Sequence, residues 1–111
     1  MSSLPQQKDI CIVTGGSRGI GAAACLKLQD NYKIVCVYNA SKAKAEELVA
    51  SINENIHNQA IAVQCDVSNI ASIKKMFLEV EKQFGNSKVT ALVNNAAIFS
   101  AFTNDGGLQR I

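Results

Sequence analysis

The chain has 111 residues, 48% of them hydrophobic and 18% charged, with a formal net charge of +2. That is room for one small folded domain and a balance that excludes a disordered chain. Lysines are scattered among glutamates, which argues against a nucleic-acid partner. No stretch approaches the roughly 20 apolar residues of a membrane span, and Met1 to Ile10 lacks the apolar core of a secretory signal.

In chain order, the first apolar run is Ile10 to Val13. Thr14-Gly15-Gly16-Ser17-Arg18-Gly19-Ile20-Gly21 follows at once, leading into an alanine- and leucine-rich helix over Gly19 to Gln29. The second run is Ile34 to Val37. A helix capped by Ser41 follows, with Ala45, Leu48, Val49, Ile52 and Ile56 on one stripe. The third run, Ile61 to Val63, precedes a helix capped by Ser68. Its apolar stripe is Ile70, Ile73, Met76, Phe77, Val80 and Phe84, and Gly85 follows its end. The fourth run is Val89 to Val93. Residues 99–111 read as a poorly ordered tail: Ser100 to Gly107 is polar, and Leu108 to Ile111 looks like an interrupted helix.

The four runs do not alternate apolar and polar, so both faces of each strand are expected to be buried. Strands alternating with helices through short connections specify an α/β, doubly wound parallel sheet of Rossmann type. Right-handed crossovers lead to a strand order of 3-2-1-4, with a switch point between the first and fourth strands. One sheet edge is then left unpaired and part of the core uncovered, which predicts association or poor solubility.

Cys11, Cys25, Cys36 and Cys65 include no closely spaced pair, and His57 is the single histidine. A zinc site needs close ligand pairs, so no metal is expected. The thiols read as small core hydrophobes in a reducing, cytoplasmic compartment.

The glycine octet carries the sharpest chemistry. It leaves a strand and opens a helix, the setting in which backbone N–H groups and the helix end attract a phosphate. The Gly15-Gly16 pair alone could be a plain turn. With Gly15, Gly19 and Gly21 spaced as T-G-x-x-x-G-x-G, the segment resembles the short-chain dehydrogenase/reductase family, in its classical branch. Cys65-Asp66-Val67 and Asn94-Asn95-Ala96-Ala97, each at the carboxyl end of a run, strengthen the likeness, which covers roughly Lys8 to Ile98.

The resemblance implies a nicotinamide dinucleotide held by Gly15, Ser17, Arg18, Gly19, Ile20, Gly21, Tyr38, Asn39, Ser41, Asp66, Val67, Asn95 and Ala96. Asp66 would accept from the adenine amino group with Val67 near the ring, or it simply ends a strand before Ser68. Asn95 and Ala96 would lie beside the ribose next to the nicotinamide, and the asparagines can also tie neighbouring strands. Ala97 stands where the family has glycine. NAD-preferring dehydrogenases place an acid about twenty residues after the glycine turn. Here Val37 to Lys42 contains no carboxylate, and the resemblance implies that a basic residue such as Arg18 can pair with a 2′-phosphate, with Lys42 adding charge. NADP is therefore favoured over NAD, unless both cations are merely solvated.

Tyr38 and Lys42 match Y-x-x-x-K, the family's catalytic pair, but that pair follows a fifth strand, and Tyr38 ends the second. His57 lies alone in a polar loop. No catalytic serine, tyrosine and lysine are identified. The expected function is NADP(H) binding for hydride transfer to or from a carbonyl or alcohol substrate, in a homo-oligomeric parent. This single partial domain would hold only the cofactor half and be inactive alone. The alternatives are a non-catalytic dinucleotide-binding module and an inactive remnant.

Overall fold

The computed structural model describes residues 8–17, 19–56, 58–85 and 87–95. The expectations for residues 99–111, and those for Arg18, His57, Ala96 and Ala97, lie outside these residues. Four strands, β1 (Asp9–Thr14), β2 (Tyr32–Tyr38), β3 (Ala60–Gln64) and β4 (Val89–Asn94), alternate with α1 (Gly19–Leu28), α2 (Lys42–Asn55) and α3 (Ile70–Phe84). They form one parallel sheet in the order β3-β2-β1-β4, as the sequence predicts.

The continuous apolar runs of β1 and β2 follow from helices on both faces of the sheet. Successive side chains point to opposite sides. Cys11, Val13, Ile34 and Cys36 meet Cys25 of α1 and Ala45 and Ile52 of α2. Ile10, Ile12, Val35 and Val37 meet Met76, Val80 and Phe84 of α3. The sheet is thus the middle of three layers, and all four cysteines are buried as free thiols between those layers.

Burial on both faces fails at the outer strands. In β4, Val89 and Leu92 are exposed, Leu92 by 64%. Among the described residues α3 is the sole helix on Leu92's side of the sheet, and it packs over β1, β2 and β3 and leaves Leu92 open. The stripes are also narrower than expected. Ile56 lies past the end of α2 and is exposed, as are Ile70 and Phe77 of α3.

Asn69, not Ser68, caps α3, its side chain accepting from Ser72 N–H at 2.9 Å. Ser68 is drawn back to Asp66, which its hydroxyl and N–H both reach. Ser41 occupies the cap position of α2 without a side-chain bond, and its carbonyl accepts from Ala45 N–H. Gly85 ends α3 in a right-handed conformation, so no left-handed cap forms there.

At the amino ends of the strands, Asn53 accepts from the N–H groups of Gln59 and Ala60 and donates to the Ala60 carbonyl. The buried Gln59 amide donates to the carbonyls of Gln29 and Tyr32. This clamp fixes how α2 and β3 meet, and it leaves the opposite rim to carry function. Among the described residues, no helix is long and apolar enough to cross a membrane, and no cluster of potential metal ligands occurs.

Candidate functional site

Every described residue of the expected site lies at or just past the carboxyl end of a strand or in the segment that follows it. Because the strands are parallel and ordered β3-β2-β1-β4, these ends share one rim. Along it come Asp66 and Val67, then Tyr38, Asn39 and Ser41, then the glycine turn, then Asn95. Neighbouring strands lie about 4.8 Å apart, so the row from Asp66 to Asn95 spans three such steps, about 14 Å. The glycine turn occupies the switch point. From β1 the chain crosses through α1 to β2 on one side, and β4, reached through α3, lies on the other.

The turn is built against itself. Gly15 takes φ of 64° and Gly19 φ of 56°, backbone that L side chains rarely adopt. Gly21 is buried under the turn: a Cβ there would collide with the Gly15 carbonyl oxygen and lie 2.8 Å from the Gly15 carbonyl carbon and 2.9 Å from Asn95 Nδ2. A Cβ at Gly19 would meet nothing within 4 Å, so that face of the turn is open. Ser17 is half-buried beside it, and Ile20 is 77% exposed at the start of α1. The first turn of α1 holds no acidic residue, so its positive end is not offset from within the helix.

Asn95 ties the turn to β4. Its N–H donates to Thr14 Oγ1 at 3.0 Å and its Nδ2 to the Gly15 carbonyl at 3.4 Å. The Thr14 hydroxyl in turn donates to Asn94 Oδ1 at 3.0 Å. Thr14 thus joins the two strands at the switch point, a role missed in the sequence although it opens the octet. Gly16 is missed for a similar reason. Its N–H donates to the Val37 carbonyl, locking the turn to β2, and the thiols of Cys25 and Cys36 pack beneath it. The hydrogen bond to Cys36, together with burial, pushes the Cys25 thiol up.

On the β2 side, Tyr38 is half-buried and its carbonyl accepts from Cys65 N–H at 2.8 Å. Asn39 accepts through its carbonyl and side chain from Gln64 Nε2, a partner that no motif points to. Lys42 is exposed at the start of α2. The segment Tyr38 to Lys42 carries no carboxylate. Strand β1 lies between Tyr38 and Asn95, so the Tyr38–Lys42 pair sits well away from the β4 end of the rim.

Asp66 forms a tight turn, its Oδ1 accepting from Ser68 Oγ at 2.6 Å and Ser68 N–H at 3.0 Å. The Ser68 hydroxyl, then its N–H, hold the Asp66 carboxyl below the usual carboxylate range. An ionised carboxylate has about four acceptor positions, so this turn does not exhaust it. Asp66 opens onto a depression of about 540 Å³ shared with Gln64, Asn69, Lys75 and Glu79, and Val67 is exposed beside it.

A family model described as short chain dehydrogenase matches residues 9–110. The chain is 40% identical over 101 residues to the 3-oxoacyl-(acyl-carrier-protein) reductase FabG of Staphylococcus epidermidis, covering 90% of this chain and 38% of that protein. It is 41% identical over 90 residues to the short-chain dehydrogenase/reductase homolog YusS of Bacillus subtilis, covering 80% of each. It is 36% identical over 99 residues to the NADPH-dependent aldehyde reductase 2, chloroplastic, of Arabidopsis thaliana, covering 80% of this chain and 36% of that one. The chain thus spans less than two-fifths of the two reductases.

Proposed function

The chain belongs to the short-chain dehydrogenase/reductase family, and from that premise we propose that it holds NADP(H) as the cofactor half of a reductase. The observation that carries this reading is the open glycine turn at the switch point, facing a β2 end that has no acid. A pyrophosphate is favoured where Gly19 and Ile20 present N–H groups at the start of α1. The residues fit such a group: Gly19 leaves space a Cβ would fill, and no acidic side chain in the first turn of α1 repels it.

Gly15, Ser17, Gly19, Ile20 and Gly21 would surround the phosphates, with Arg18 and Lys42 meeting a 2′-phosphate and Tyr38, Asn39 and Ser41 flanking the adenosine ribose. Asp66 and Val67 would take the adenine. Asn95, with Ala96 after it, would stand beside the nicotinamide ribose while Asn95 keeps its hold on Gly15. When bound, the cofactor supplies the hydride for a carbonyl or accepts it from an alcohol. This chain's residues would bind and orient the cofactor; no catalytic serine, tyrosine and lysine set is identified among them.

Names among the relatives support NADP over NAD, one being an NADPH-dependent reductase. A second reading, a dinucleotide-binding module without chemistry of its own, is favoured by the Bacillus subtilis homolog, 80% of which this chain covers. Charge substitutions test the cofactor choice. Arg18→Ala is expected to weaken NADPH binding about tenfold and leave NADH within about twofold, the loss of one charge-assisted phosphate contact. Asn39→Asp is expected to reverse the preference toward NADH. Equal effects of Arg18→Ala on both cofactors would overturn the NADP assignment.

A further inference from the structure

Strand β2 ends in Tyr38 and β3 in Gln64, and the parallel register sets these two residues opposite one another. Asn39 follows Tyr38 at the carboxyl rim, where the Gln64 side chain reaches it. Gln64 Nε2 lies 3.3 Å from the Asn39 carbonyl oxygen and 3.0 Å from Asn39 Oδ1. A backbone carbonyl can only accept, so the end of Gln64 that meets it is the NH2 end. That nitrogen donates twice and accepts nothing, so the Asn39 side-chain atom beside it is the oxygen. A free asparagine can present either end of its amide; this one is turned. With Oδ1 engaged, Nδ2 is the end left to face a ligand, and nothing among the described residues accepts from it.

We propose that Gln64 is a positioning residue for cofactor choice: it holds Asn39 with its N–H donors toward the ribose 2′ position, and so favours a 2′-phosphate over a 2′-hydroxyl. The role rests on NADP(H) binding at the rim, with Asn39 beside the adenosine ribose. A phosphate offers acceptor oxygens and negative charge, so a fixed N–H group meets it in a charge-assisted bond. A ribose hydroxyl gains most from an acceptor for its proton, which is what the acid of NAD-preferring dehydrogenases supplies. Asn39 Oδ1 can act that way only by letting go of Gln64. The rest of the segment is consistent with a phosphate: Tyr38 to Lys42 holds no carboxylate, and the Ser41 hydroxyl makes no capping bond. Gln64 also lines the depression onto which Asp66 opens, so one side chain links the adenine and ribose ends of the site. It carries no charge of its own, and its effect on cofactor choice passes through Asn39.

Titration calorimetry with NADPH and NADH on the full 111-residue chain, on Gln64→Met, on Asn39→Ala and on the double variant tests it. Gln64→Met keeps the length of the side chain and removes the donor. It should weaken NADPH about threefold, the net worth of one ordinary hydrogen bond, and leave NADH within about 1.5-fold. Gln64 is exposed, so the urea midpoint should stay with that of the parent. In the Asn39→Ala background, Gln64→Met should not change the ratio of the two affinities further, because the amide it turns is gone. A parent that prefers NADPH, with a ratio indifferent to Gln64→Met, overturns the positioning role and leaves the cofactor reading standing. An undiminished effect of Gln64→Met in the Asn39→Ala background also overturns it, since Gln64 then acts on the backbone carbonyl and not on the amide. A parent that binds neither cofactor, or both alike, overturns the cofactor reading and the positioning role with it.

Discussion

Replacing Gly21 by alanine tests the glycine turn at its tightest point. The added methyl would be driven into the Gly15 carbonyl, with the carbonyl carbon at 2.8 Å and Asn95 Nδ2 at 2.9 Å. Two of these three neighbours are backbone, so the turn itself must shift. Forcing an extra methyl into packed surroundings costs about 1–3 kcal/mol, and a rigid backbone partner places this case near the top of that range. Alanine's helix preference over glycine returns about 1 kcal/mol, since Gly21 lies within α1. The net is a loss of about 1–2 kcal/mol, a large part of the stability of a domain this small. Displacing Gly15 also moves the N–H groups of the turn, so NADPH affinity should fall at least about tenfold, the equivalent of about 1.4 kcal/mol. Gly19→Ala is the matched control. It meets no atom and is strained only by its φ of 56°, at about 1–2 kcal/mol, so its loss should be no larger and should come without displacement of Gly15. Urea midpoints and nucleotide titrations on both variants decide the matter. If Gly21→Ala is as stable as the parent and binds NADPH unchanged, the packing argument is wrong.

Thr14→Val removes a hydroxyl that serves Asn95 N–H and Asn94 at once. Leaving those groups unpaired should cost about 1–3 kcal/mol in urea unfolding, and an unchanged midpoint would show that the link is not needed. Asp66 contributes to stability through a lowered carboxyl pKa. Its contribution is therefore present at neutral pH and is lost as pH falls below about 4 and through the lowered value. Asp66→Asn should flatten the acid limb of the stability–pH curve, and an unchanged limb would refute the role of the Ser68 bonds. The four cysteines are buried, so a thiol reagent at pH 8 should react with all four only after unfolding. Fast modification of the native chain would contradict the described core.

The fold was legible because its signals are local. Apolar runs of β1 and β2 with no alternation require helices on both faces, and the glycine octet follows a strand directly. What the sequence did not disclose depends on distant partners. Ser68 and Asn69 are both good caps, and only the reach of Ser68 to Asp66 leaves the cap to Asn69. Periodicity placed Ile70 and Phe77 on the core stripe of α3, yet a helical arc does not say where the sheet stops covering it. Of the site, the positions along the rim were readable from motifs at strand ends. The anchoring of the turn by Thr14, and its support on Val37, Cys25 and Cys36, were not, because those residues are joined by the sheet and not by spacing.

The rim at the carboxyl ends of the strands is proposed to hold a dinucleotide and to prefer the one carrying a 2′-phosphate. Isothermal titration of the intact chain with NADPH and NADH in parallel tests this most directly. Saturable binding of both, with NADPH tighter by about tenfold, is the predicted result. No heat of binding from either cofactor at millimolar concentration would contradict it.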